Sequence, residues 1–149
     1  MSKISPEGTS IIIGTTGSGP YGIALDADAN IYTNNAHLDV VSNISVDGTA
    51  IIIGTTGDTP VAIAVDSNAN IYTANYGSDN VSKITPDGTS IILGTTGSGP
   101  YGIALDAAGN VYTNNGHSDT VSKITPDGTS IIIGTTGDTP VAIAVDSNA

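Results

Sequence analysis

Apolar and polar positions alternate along this chain in short bursts separated by clusters of Gly, Pro, Asp, Asn, Ser and Thr. In Tyr21-Gly22-Ile23-Ala24-Leu25 small and large residues alternate, which predicts a strand with one crowded side and one roomier side. Asp26-Ala27-Asp28-Ala29-Asn30 reads as a turn, because short polar side chains close tight turns on their own backbone. The β-branched and aromatic stretch Ile31-Tyr32-Thr33 predicts a second strand, followed by a loop over 34–39. A third strand is expected over Val40-Val41-Ser42-Asn43-Ile44, a hairpin turn of the Asp-Gly kind at Val46-Asp47-Gly48, and a fourth strand from Ala50 to Ile53. The segment GTTGDTP then crosses to the next unit, and the 3.6-residue period of an amphipathic helix is absent.

The same pattern recurs every forty residues, as the glycines at Gly8, Gly48, Gly88 and Gly128 mark. Four antiparallel strands per unit with no helix between them describe one blade of a β-propeller. The expected fold is therefore all-β, a β-propeller of four-stranded antiparallel blades present here as a partial arc of about 3.7 repeats. Its pieces are two outer strands at 2–14, blades at 20–54, 60–94 and 100–134, and a partial blade at 140–149. A second order lies on top of the first. Residues 88–110 repeat residues 8–30 except for Leu93 in place of Ile13, Ala108 in place of Asp28 and Gly109 in place of Ala29. One type of unit carries SGPYG (18–22, 98–102) and the other DTPVA (58–62, 138–142). Asp146-Ser147-Asn148-Ala149 matches 66–69, after which the earlier copy continues, so the chain is expected to belong to a longer array. As an open arc it is expected to self-associate through uncovered blade edges.

Composition narrows the chemistry. Without cysteine there are no disulfides and no thiolate nucleophiles or ligands. Fourteen acids against Lys3, Lys83 and Lys123 give a formal charge of -11, which repels phosphate backbones and sets nucleic acid and anionic membranes aside as partners. The three lysines share one repeat position, filled by Asn43 in the remaining copy, and read as a solubilising, salt-bridging row. The isoleucine triplets at 11–13, 51–53 and 131–133 are expected to pack the outer strand. No apolar run reaches transmembrane length and MSKISPEGTS contains no apolar signal segment; the compartment stays open, a secreted or cell-surface parent included. Asp26, Asp28 and Asn30 have the spacing that opens a calcium loop, but no downstream Glu follows and Asp106-Ala107-Ala108 loses the middle ligand. A tight turn accounts for the same residues, and neither a metal nor another cofactor is expected.

Strand direction sorts the loops onto two ends. The crossings and the loops 34–39, 74–79 and 114–119 share one of them, and there the two unit types differ most: Tyr21 and Tyr101 against Val61 and Val141, His37 and His117 against Gly77. The candidate ligand-binding residues are accordingly Tyr21, Asn35, His37, Tyr76, Tyr101, Asn115 and His117, with no residue assigned to catalysis. A His beside Asn and Asp can act as a base or a ligand, although a loop His is as simply a solvated side chain.

The segments Gly99-Pro100-Tyr101-Gly102-Ile103-Ala104-Leu105-Asp106, Gly109-Asn110-Val111-Tyr112 and Val121-Ser122-Lys123-Ile124-Thr125-Pro126-Asp127-Gly128 resemble the blades of NHL-repeat propellers, and especially those of streptogramin lyases. The resemblance covers essentially the whole chain. It implies that Tyr101 to Leu105 lines the central channel and Ser130 to Ile133 lies outermost. Streptogramin lyases often read Trp-Phe-Thr-Glu in the second strand, where this chain has Ile31-Tyr32-Thr33-Asn34 and Val111-Tyr112-Thr113-Asn114; Asn replaces the acid. The expectation is a non-enzymatic scaffold or binding module that takes a protein or small-molecule ligand on the loop face. The alternative is a lyase, or a lactone or ester hydrolase, acting at the channel mouth.

Overall fold

In the computed structural model, which describes residues 1–45 and 47–146, the strands fall in the order β1 (Ser2–Ile4), β2 (Ser10–Ile12), β3 (Pro20–Leu25), β4 (Ile31–Asn35), β5 (Val40–Ile44), β6 (Ala50–Thr55), β7 (Pro60–Val65), β8 (Ile71–Asn75), β9 (Asn80–Ile84), β10 (Ser90–Thr95), β11 (Pro100–Leu105), β12 (Val111–Asn115), β13 (Thr120–Ile124) and β14 (Ser130–Thr135). β3 to β6, β7 to β10 and β11 to β14 form three four-stranded antiparallel sheets in sequential order, and β1 and β2 form a two-stranded sheet before them. The fold is all-β and the sheets are the blades of a partial propeller.

Each Asp-Gly hairpin closes as its residues dictate. At the second blade Gly88 has φ 85°, its N–H bonds Thr85 O at 2.8 Å, and Asp87 Oδ1 accepts the Thr89 N–H at 3.1 Å. The same turn recurs at Gly48 and Gly128; Val46, part of the turn expected around Asp47, lies outside the described residues. The first turn of every blade is tied by one carboxylate. Asp66 Oδ1 accepts the N–H groups of Asn68 and Asn70, both at 2.9 Å, while Oδ2 accepts Asn70 Nδ2 at 2.8 Å and the Tyr72 hydroxyl at 3.1 Å. Asp26 repeats all of these bonds and Asp106 repeats those from Asn110 and Tyr112. The calcium-like spacing is thus the wiring of a turn. Burial of Asp66 raises its carboxyl, but the bonds from Asn70, Asn68 and Tyr72 outweigh burial and leave it below the usual carboxylate value. The partner hydroxyl moves the other way: burial and the Asp66 charge push the Tyr72 phenol up to about 12.

The apolar core lies between blades. Tyr32, Val41 and Ile53 of one blade pack against Ile63, Val65, Ile71 and Ile84 of the next, and Tyr72, Val81 and Leu93 pack in the same way against Ile103, Leu105, Val111 and Ile124. Fully burying one such aliphatic side chain contributes about 1.5–3 kcal/mol, so neighbouring blades stabilise one another. Small residues let the innermost strands converge: a Cβ on Gly22 would lie 2.9 Å from Ile63 Cγ2 in β7, and one on Gly102 3.2 Å from the Ala142 Cα.

Three expectations are revised. Residues 140–146, expected to open a further blade, lie beside β11 but form no strand; 147–149 lie outside the described residues. The isoleucine triplets do not pack the outer strand throughout. Ile11, Ile12, Ile51, Ile52, Ile131 and Ile132 are more than half exposed and Ile133 nearly so; of the triplets Ile53 reaches the core, as does Leu93 of the related Ile91-Ile92-Leu93 run. A register shift between Ile92 and Gly94 breaks the alternation there. The lysine row meets rings: Lys83 stands opposite Tyr72 in register with Nζ 5.5 Å from the ring centroid, and Lys123 is placed likewise over Tyr112 at 5.4 Å. Each contact contributes at least about 0.5–1 kcal/mol, the value for exposed sites, since both lysines are half-buried.

Candidate functional site

The end of the arc that carries the loops 34–39, 74–79 and 114–119 is held by a repeated set of polar pins. Asp39, Asp79 and Asp119 adopt positive φ, and their Oδ1 atoms accept N–H groups of the crossing into the following blade, from Thr59 at 2.8 Å, Gly99 at 2.7 Å and Thr139 at 2.8 Å. Their carbonyls take the N–H groups of Thr56, Thr96 and Thr136. One residue per blade thereby anchors both ends of a crossing.

Asn35 and Asn115, read from the sequence as loop residues able to meet a ligand, belong to the ends of β4 and β12 and are wholly buried. Asn115 Nδ2 donates to Ser122 Oγ at 2.8 Å and to Thr120 Oγ1 at 3.0 Å, while its Oδ1 accepts from Thr113 Oγ1 at 3.1 Å. Asn75 repeats this network with Thr73, Asn80 and Ser82, and Asn35 Nδ2 bonds Ser42 Oγ at 2.9 Å. Buried amides need such partners; Asn75 and Asn115 have them on both atoms inside the blade, whereas Asn35 has them on Nδ2 and its buried Oδ1 accepts no hydrogen bond. Asn34 is also buried: its Oδ1 accepts the Gly22 N–H at 2.7 Å and its Nδ2 donates to the carbonyl of Pro60 at the start of β7. Asn114 makes the corresponding bond to Pro140. The position where the resemblance would put an acid therefore fastens one blade to the next.

The other five candidates reach the surface, and three of them meet. Tyr76, in the loop after β8, lies between Tyr101 on β11 and His117 in the loop after β12, so the cluster bridges two blades. The ring centroids of Tyr76 and Tyr101 are 5.0 Å apart at 49°, and those of Tyr76 and His117 are 5.1 Å apart, edge to face at 70°. The Tyr76 hydroxyl is 2.9 Å from His117 Nε2. The nearby Tyr101 hydroxyl holds the Tyr76 phenol above its ordinary value, with a lesser contribution from the Asp79 charge. Two glycines make room. A Cβ on Gly99, at φ 67°, would stand 2.9 Å from His117 Cγ, and one on Gly116 would stand 2.7 Å from Tyr101 Cδ2.

Tyr21 and His37 hold the matching positions on the first blade. They do not join this cluster: Tyr21 is 69% exposed and His37 Nδ1 pairs with Ser18 Oγ at 3.3 Å. Across the next junction Val61 stands where Tyr101 stands, and Ala36 where Tyr76 stands, so no aromatic group forms there. The residues missed by sequence reasoning are the pins Asp39, Asp79, Asp119, Asn34 and Asn114. For the three Asp pins the signal was exact recurrence, Asp kept at forty-residue spacing in a loop whose neighbours change; Asn34 and Asn114 recur only at eighty residues, with Ala74 between them.

The model described as the virginiamycin B lyase family matches residues 5–149, and the chain belongs to that family. No curated protein sequence matches it. Among solved structures it is similar to a streptogramin B lyase (TM-score 0.73, 21% identity, covering 85% of this chain and 45% of that one). It is similar also to virginiamycin B lyase from Staphylococcus aureus (TM-score 0.75, 18% identity, 88% and 47%). It is similar to a chain of a nidogen/laminin complex as well (TM-score 0.74, 22% identity, 85% and 52%). The chain spans about half the length of these structures, and at such identities the likeness is one of fold.

Proposed function

We propose that this member of the virginiamycin B lyase family acts as a non-enzymatic propeller scaffold, a binding module whose recognition surface is the loop face around Tyr76, Tyr101 and His117. The observation that carries this reading is the commitment of Asn34 and Asn114. Where the resemblance places an acid, both amides are buried and bonded to the backbone of the following blade. What the loop face offers to solvent is an aromatic group on a rigid frame, the kind of surface that binds.

A second reading follows from the family match and the His117–Tyr76 pair. A hydroxyl 2.9 Å from an imidazole nitrogen is within reach of proton transfer, as a lyase or an ester or lactone hydrolase would need. Incubating the chain and its His117→Ala variant with quinupristin, the compound bound in one solved virginiamycin B lyase structure, separates the two. Mass spectrometry is expected to find the compound unchanged; a product formed by the chain and abolished in His117→Ala would overturn the scaffold reading.

A further inference from the structure

We infer that the Tyr76–Tyr101–His117 cluster is a site for an organic cation, a quaternary or fully protonated amine; the inference rests on the loop-face reading and assigns its ligand class. Three observations lead to it. First, the aromatic rings, with His117 exposed and Tyr76 and Tyr101 half-buried, sit on a frame fixed by Asp79, whose Oδ1 holds Gly99 N–H at 2.7 Å, and shaped by Gly99 and Gly116, which leave space for the rings. A cation within about 6 Å of such a ring is attracted by its quadrupole, and the gain grows as water is excluded.

Second, the charges around the cluster are of one sign. Asp79 is close enough to act on the Tyr76 phenol, and Asp58 lies against the Tyr76–Gly77 loop, its carbonyl accepting the Gly77 N–H at 3.0 Å. The chain has three Lys and no Arg, and all three sit within strands, at β1, β9 and β13; Lys83 and Lys123 already face Tyr72 and Tyr112. No permanent cation of the protein's own therefore competes at the loops, while a formal charge of -11 draws cations toward them. Third, those two strand contacts show the same chemistry working inside the molecule, with ammonium groups 5.5 and 5.4 Å from tyrosine rings.

The eighty-residue alternation gains a meaning from this. Tyr76 belongs to one unit type, Tyr101 and His117 to the other, so the site forms only where the second type follows the first in that order. In an array with this alternation the site would recur once per two blades, and a ligand carrying several amines would gain from effective concentration.

The test is an NMR titration of the 149-residue chain with choline, with a peptide bearing one trimethyllysine, and with 3,3-dimethylbutan-1-ol, the uncharged carbon isostere of choline. Choline is expected to move the ring resonances of Tyr76, Tyr101 and His117 and to bind about fivefold more tightly than the isostere. Tyr76→Ala is expected to remove the response, and Tyr76→Phe, which keeps the ring and loses the hydroxyl, to retain it. Tighter binding of the peptide than of choline would name a modified side chain as the source of the amine, and the reverse order a free amine; both support the site. Equal binding of choline and its isostere, with loss in Tyr76→Ala, would overturn the cation assignment and leave the loop-face reading standing. If neither ligand gives a response that depends on Tyr76, while amide spectra show both proteins folded, both readings fail.

Discussion

Replacing Asp66 by Asn tests whether the first-turn carboxylate stabilises the blades as strongly as its bonding indicates. The change keeps the shape of the side chain and leaves Oδ1 to accept from the N–H groups of Asn68 and Asn70. It turns Oδ2 into a donor that faces Asn70 Nδ2 and the Tyr72 hydroxyl. The hydroxyl can rotate to accept, but the Asn70 amide cannot donate to another donor. A hydrogen bond to a charged group contributes about 1.5–3 kcal/mol and partial rearrangement recovers some of it, so the expected loss at pH 7 is about 2 kcal/mol. With a urea m-value of about 2 kcal/mol/M, the midpoint should fall by about 1 M. The sign of the pH dependence follows from the direction of the shift. The carboxyl lies below its usual value in the folded chain, so its stabilisation is fully present above the unfolded carboxylate value and is lost as pH falls through the folded one. Urea titrations of both proteins at pH 7, 5 and 3 should therefore show a gap that is widest at pH 7 and 5 and shrinks toward pH 3. A gap that is absent at pH 7, or that keeps its full size at pH 3, would refute the reasoning.

Ala69 holds φ 59° in the turn where the third blade has Gly109 at φ 81°. Since the left-handed region costs a side-chain-bearing residue about 1–2 kcal/mol, Ala69→Gly should raise stability by about 1 kcal/mol, read as an upward shift in urea midpoint. Gly116→Ala would bring a methyl group 2.7 Å from Tyr101 Cδ2; the ring must shift and its packing on Tyr76 with it, which should appear as a change in the Tyr76 ring-proton shifts with little change in Tm. The 149-residue chain should associate as its concentration rises, through the exposed pairs Ile51–Ile52, Ile91–Ile92 and Ile131–Ile132. Light scattering should report this, and Thr at Ile52, Ile92 and Ile132 should weaken it; a concentration-independent monomer would contradict it.

Strand number, blade length and the two turn types could be read from the sequence because each depends on neighbours in the chain: alternation over a few residues, an Asp-Gly pair, an Asp four residues before an Asn. Forty-residue recurrence then required a propeller, since a unit of four strands buries its faces only by stacking on a copy of itself. The site was legible in part. Differences between unit types pointed to Tyr76, Tyr101 and His117 on one end, but the same reasoning gave Asn35 and Asn115 to the surface. Asn has little preference for strands, and only the tertiary hydrogen bonds to Ser42 and Ser122 account for its burial at the ends of β4 and β12. The lysine row could not be separated from a salt-bridging surface until the register set Lys83 against Tyr72 and Lys123 against Tyr112. Most of all, the meeting of Tyr76 with Tyr101 and His117 belongs to tertiary structure alone, for those residues come from different blades, and their distance is decided by how blades pack and not by anything within one repeat.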